Sequence, residues 1–255
     1  MRKFLPALFL MAGLTQAGKT IAQSPWLGFK GGISIPDLSG GSGNPISENY
    51  TSRLAANFGF FSDFHVVHNF SIQVELNYAG QGGKRDGTQP ITSGDLASQL
   101  PPGTYLWAHF NNKAVFNYLE LPVLAKLHWG RGKFGGYVNL GPYLGYLLHA
   151  EEKTKGTSSI YYDQAETEPL QDQQGNLYPP VDFTSNTDIT SSLHRFNVGV
   201  TGGGGLDWKL DEKNKLLFDA RFEYGFVNIQ KYDEDGKNNT GNLLLSVGYA
   251  HRIGR

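Results

Sequence analysis

The sequence predicts an all-β protein: an eight-stranded antiparallel transmembrane β-barrel with short periplasmic turns and long extracellular loops. Three observations predict it. Eight stretches alternate apolar and polar residues, the period of two that marks a strand with unlike faces. The connections between them run long, short, long, short, long, short, long, which is the loop asymmetry of membrane barrels. No later segment approaches the roughly 18 consecutive apolar residues of a spanning helix, so the strands must do the crossing.

The first residues form a separate unit. Arg2 and Lys3 precede the apolar run Phe4 to Leu14, and Thr20-Ile21-Ala22 offers small residues at a cleavage site. Residues 1–22 are expected to be a secretory signal peptide, and residues 23–255 the barrel domain. The first strand then runs from Trp26 to Ile35, with Leu27, Phe29, Ile33 and Ile35 in one phase, followed by a polar loop to Ser52. The second, Arg53 to Phe64, carries Leu54, Ala56, Phe58, Phe60 and Phe64 on one face, and 65–69 is a short turn. In the third, Phe70, Ile72, Val74, Leu76 and Tyr78 alternate with Ser71, Gln73, Glu75 and Asn77.

Residues 80–113 read as a long polar loop containing Gly82-Gly83 and Pro101-Pro102. The fourth strand sets Leu119, Leu121, Val123, Ala125, Leu127 and Trp129 against Glu120 and Lys126; a tight turn leads to the fifth, from Phe134 to Leu148. The longest loop spans 150–192. The sixth strand alternates Phe196, Val198, Val200, Leu206 and Trp208 with Arg195, Asn197, Thr201 and Asp207. The seventh alternates Phe218, Ala220, Phe222 and Tyr224 with Asp219, Arg221 and Glu223, and the eighth runs from Asn242 to Ile253.

Sorted by phase, the two faces differ in kind. One is nearly free of charge, and Phe64, Phe70, Trp129, Phe134 and Trp208 fall near its short-turn end, the place of an interfacial aromatic girdle. The other collects Lys30, Arg53, Glu75, Glu120, Lys126, Arg195, Asp207, Asp219, Arg221, Glu223 and Arg252. If the apolar face meets lipid, Glu75, Glu120, Lys126, Arg195, Asp219, Arg221 and Glu223 form a lumenal ion network, because buried charges need partners. Two alternatives stay open: a soluble lipocalin-like barrel with its apolar face inward around a small ligand, and a narrow ion or proton path through the network.

Several segments carry a resemblance. Gly28-Phe29-Lys30-Gly31-Gly32-Ile33, Phe70 to Leu76 (FSIQVEL), Tyr118-Leu119-Glu120-Leu121-Pro122-Val123, Gly141-Pro142-Tyr143-Leu144-Gly145 and Arg221 to Ile229 (RFEYGFVNI) are involved. With them the chain resembles the PorT-like outer-membrane β-barrel proteins of the Bacteroidetes. The resemblance implies a barrel without an enzymatic signature, whose namesake takes part in a protein secretion system. Relatives tend to end on an aromatic residue read by the insertion machinery. This chain ends Tyr249-Ala250-His251-Arg252-Ile253-Gly254-Arg255, so that signal is imperfect or displaced.

Composition narrows the chemistry. There are 22 basic and 23 acidic residues, which gives no footprint for nucleic acid. Cysteine is absent, excluding a disulfide framework, a thiolate metal site and a lipoprotein anchor. His65 and His68 share a turn but have no third ligand nearby in sequence. Ser191, Ser192 and His194 evoke a hydrolase only if a third group orients them. Gly202 to Gly205 lacks the Lys-Ser/Thr of a phosphate loop, and Asp233 to Asn238 lacks the distal Glu of a calcium loop. No cofactor, metal site or catalytic residue is expected.

Loops carry binding on rigid scaffolds. The 150–192 segment holds eight acidic residues against Lys153 and Lys155, with Tyr161, Tyr162 and Tyr178 interleaved. The expected function is therefore a non-catalytic structural or interaction role at the surface of the outer membrane. Both termini would be periplasmic, and the partners would be membrane lipid, lipopolysaccharide and an envelope protein reached through 80–113 and 150–192.

Overall fold

The computed structural model describes residues 24–254 other than 42, 93 and 102, so the expected signal peptide lies outside the described residues. Eight long strands form the wall: β1 (Trp26–Gly40), β2 (Ala55–Val67), β3 (Phe70–Pro90), β4 (Trp107–Arg131), β5 (Phe134–Lys155), β6 (Phe196–Lys209), β7 (Asn214–Gly225) and β8 (Asn238–Arg252). Each pairs antiparallel with its sequence neighbours, and β8 returns to β1 in unbroken register from Trp26↔Arg252 to Gly40↔Asn238. The ring is closed, so no strand edge is left open within the wall.

The inside–outside assignment follows the alternation. Phe29, Phe58, Phe60, Leu140, Phe222 and Val247 point outward and are exposed, while Lys30, Asn57, Glu75, Asn139, Arg221 and Ser246 point inward and are buried. This disposition excludes the lipocalin-like alternative, which requires the apolar phase inside. A belt of exposed leucine, valine and phenylalanine around a closed ring is what lipid, and not water, stabilises.

The connections at one end are minimal: 68–69, 132–133 and 210–213. Gly132 adopts the left-handed conformation that the second hairpin requires (φ 71°). In the third, Asp211 accepts from the backbone N–H groups of Lys213 and Asn214, each at 2.8 Å. The strand takes His65 to Val67 with a bulge, so the first turn is shorter than the sequence indicated.

The main departure lies at the opposite end. The expected 80–113 loop is mostly strand, because β3 continues to Pro90 and β4 begins at Trp107, with Lys84↔Lys113 and Thr88↔His109 in register. β1, β5 and β8 likewise extend past their expected outer ends. Beyond the bilayer the outward face no longer has to be apolar, so the contrast between the faces fades while the backbone ladder persists. β3, β4 and β5 contain 21, 25 and 22 residues, about twice the ~9–11 needed to cross.

These extensions form a crest with its own core. Ile91, Leu106, Ala108, Phe110, Ile160 and Leu170 are buried together, with Val181 and Phe183 packed against them. Phe110 and Phe183 stack with centroids 4.9 Å apart. Within 150–192, Ile160–Tyr161 pairs with β4 and Ser185–Asp188 with β5, so this loop too is partly strand. A lipid-facing charge tests the wall: Leu140→Arg is expected to cost about 2–4 kcal/mol, measured by urea unfolding in vesicles. An equal stability would place Leu140 off the lipid face.

Candidate functional site

The lumen is polar in the middle, closed by an apolar cluster at the outer end, and lined by apolar and charged side chains together at the periplasmic end. At the periplasmic end Trp26, Phe61, Tyr137, Leu217 and Ala250 pack together. At the outer end Leu38, Ala114, Phe116, Tyr118, Leu147 and Ala150 are joined by Leu193 and Ile229 from the loops. Those two loops are tied to each other, with His194 N–H donating to Ile229 O at 2.8 Å and Lys231 N–H to Ser192 O at 3.2 Å.

The central ion network has Arg221 and Lys30 as its cations. Arg221 lies 2.9 Å from Glu75 and 2.6 Å from Asp219. Lys30 Nζ donates to the other oxygen of Glu75 at 2.7 Å. Asn77 Nδ2 adds a bond of 2.8 Å to Glu75, Gln73 another, and the Tyr137 hydroxyl donates to Asp219 at 2.7 Å. The planar fork of arginine suits it to bridge two carboxylates, and the whole group is almost inaccessible to solvent.

Toward the periplasm a second group forms around Lys126, whose ammonium donates to Gln73 Oε1 at 2.8 Å, lies 3.4 Å from Asp63 and sits 3.8 Å from the Tyr137 ring centroid. Lys215 lies over Trp26 at 4.5 Å and is 4.0 Å from Asp207. Asp63 and Lys215 were missed by the sequence reading. Asp63 shares the inward phase of Asn57 and Phe61, and Lys215 that of Asp219 and Arg221; both fell within two or three residues of an expected strand end.

Arg195 does not join the network. It precedes β6, is half-buried, and donates to the carbonyls of Leu147 and Leu148 at 3.0 and 3.4 Å. Its backbone carbonyl still accepts from Leu147 N–H at 2.8 Å, so it lies at the outer rim against the carbonyls of β5, away from the central carboxylates. Glu120 and Glu223 do lie in the lumen, buried, but among the described residues no Lys or Arg comes within ion-pair distance of either. Glu120 accepts from Gln81, and its second oxygen, like both oxygens of Glu223, has no protein partner.

The five girdle residues fall on the outward face near the short turns. Trp129 and Phe134 are exposed at 57% and 68%, Phe134 stacks on Trp208 at 5.8 Å, and Phe64 and Phe70 are half-buried. Among the histidines, His65 stacks on His128 at 5.1 Å beside Asp63, whereas His68 is exposed. Ser71 and Asp63 both approach the same atom of His128, Nε2, at 2.8 and 4.0 Å. A nucleophile and an orienting acid must sit on opposite ring nitrogens, so this trio is not a hydrolytic triad. His194 is exposed, with Ser191 and Ser192 in the preceding 3-10 turn. Among the described residues, no three His, Asp or Glu side chains gather as a metal site.

Removing the bridge tests the network. Arg221→Met leaves Glu75 and Asp219 short of a partner and is expected to destabilise the barrel by about 3–5 kcal/mol in urea unfolding. Arg195→Met, outside the network, should change stability by less than about 1 kcal/mol. Equal effects would deny Arg221 its bridging role.

Comparison with known proteins adds the family. Solved structures of similar layout include Ail, the attachment invasion locus protein of Yersinia pestis, 11% identical over 91% of this chain and 99% of that one, with a TM-score of 0.39. Neisserial surface protein A is 9% identical over 90% and 97%, TM-score 0.38. The outer membrane protease OmpT of Escherichia coli is 9% identical over 92% and 98%, TM-score 0.40. A search of curated proteins finds no match. Residues 21–231 match the family described as outer membrane protein beta-barrel domain; with its closed ring and apolar outer belt, the chain belongs to that family and resides in the outer membrane.

Proposed function

We propose that the protein is a non-catalytic docking barrel, which holds an acidic, rigid crest above the cell surface for a basic segment of an envelope or secretion-complex protein. The observation that carries this reading is the joining of the acidic 150–192 segment to the extended strands. Glu151 and Glu152 lie on β5 itself, paired with Asp188 and Thr187, and residues 171–180 are all exposed. A preordered surface loses little entropy on binding.

Four crest aspartates are held in their charged form. The backbone N–H of Glu168, with Thr167, keeps the Asp163 carboxyl below the usual range, and Asn176 does the same for Asp172. Thr184 and Thr190 act likewise on Asp182 and Asp188. The resemblance to PorT-like proteins favours a secretion or envelope complex as the setting. Lipid and lipopolysaccharide would be the surroundings of the wall, and no cofactor is invoked.

The reading is tested with a fluorescent oligolysine peptide and the barrel in vesicles. Replacing 163–183 by a short Gly-Ser linker should leave the heat-modifiable band unchanged and weaken peptide binding about tenfold. Binding should fall with salt. It should persist as pH drops from 7 toward about 5, because depressed carboxyl pKa values keep the crest charged until the pH approaches them. Binding that is indifferent to the replacement would sink the proposal.

A further inference from the structure

The central network leaves two carboxylates without a direct ion-pair partner among the described residues, with Lys30 and Arg221 acting on them only from a distance. Arg221 and Lys30 are engaged by Glu75 and Asp219, while Glu120 on β4 and Glu223 on β7 interact as like charges. Removing an unpaired carboxylate from water costs several kcal/mol. Two of them side by side need a positive species.

The surrounding atoms indicate which kind. The hydroxyls of Tyr118, Tyr143 and Thr201 are buried and none makes a well-formed hydrogen bond within the protein, although Tyr143 has the Thr240 hydroxyl nearby and Thr201 has Glu223. Tyr118 is an electrostatic neighbour of Glu120, Tyr143 of both carboxylates, and Thr201 is the cross-strand partner of Glu223 on β6. Three carboxylate oxygens, Glu120 Oε2 and Glu223 Oε1 and Oε2, also lack partners. The idle groups therefore include six oxygens, with neither sulfur nor imidazole among these residues.

A proton shared between the two glutamates would leave one negative charge and most of these lone pairs unmet. A single doubly charged ion would neutralise both, and calcium-type cations take about 6–8 oxygen ligands in adaptable geometry. Softer metals prefer sulfur or nitrogen. We infer that Glu120 and Glu223, with the hydroxyls of Tyr118, Tyr143 and Thr201, form a lumenal site for one hard divalent cation of the calcium class. The site is independent of the crest and of its proposed docking role.

Terbium is the probe, because tyrosine rings beside a bound lanthanide sensitise its emission. The full barrel in detergent is equilibrated overnight, since Leu193 and Ile229 cover the mouth, and excited at its tyrosines. Saturable emission displaced by calcium is expected. Glu120→Gln and Glu223→Gln should each weaken binding by roughly tenfold or more, and the double variant should abolish it. Asp163→Asn with Asp172→Asn, on the crest, should leave it intact.

Emission that survives the double Gln variant would place the ion elsewhere and overturn the site. Absence of saturable emission from the unaltered barrel would overturn it too, in favour of a shared proton. The Gln variants are checked for the heat-modifiable band. Should they fail to fold, the crest double variant alone decides: calcium must raise its unfolding temperature over that in chelator, and no rise rejects the inference.

Discussion

The structure depends first on the seam between β1 and β8. In hydrocarbon an unpaired backbone N–H or C=O has no water to turn to, so a sheet can cross only if its two edges meet. The seam does this along the full length of both strands, from Trp26↔Arg252 to Gly40↔Asn238. Once the ring is closed, the side-chain phase has no freedom left. Every second residue faces lipid, and every other one must be accommodated in a narrow lumen.

Filling that lumen explains features that local propensity does not. The four consecutive glycines Gly202 to Gly205 are poor strand formers taken alone. A Cβ on Gly205 would collide with the Tyr137 ring, and that ring carries the hydroxyl that donates to Asp219 and the π-face under Lys126. Gly199 stands in the same relation to Tyr143. Gly199 and Gly205 make room for aromatic rings, and the Tyr137 ring positions charge, whereas Gly203 lies against the backbone of β7. Gly205 thus serves the polar core, though it contributes no polar side chain.

Where the membrane enforced two unlike faces, the sequence was easy to read. The alternation of β3 around Gln73, Glu75 and Asn77 announced both its strand and its inward residues. Legibility ended where the membrane did. Gln81 to Pro90 and Trp107 to Lys113 are strands whose two faces are both partly polar, so period two carried no signal there. Asp63, Lys215 and Arg195 sit close to strand ends, where a shift of one residue decides between lumen and surface. Which acids would find a cation was also hidden, because that depends on how far Lys30 and Arg221 reach across the barrel.

The crest has a consequence in terms of height. At about 3.3 Å per residue and a tilt near 40°, the 25 residues of β4 rise roughly 60 Å, about twice the hydrocarbon thickness. With headgroups included the bilayer is about 40–45 Å thick, so roughly the top quarter to third stands clear of it, in the layer occupied by surface sugars. Because β4 is one continuous strand, whatever the crest carries is presented at a fixed elevation, as on a mast. A large object that cannot penetrate the sugar layer meets the top of this protein before it meets the membrane.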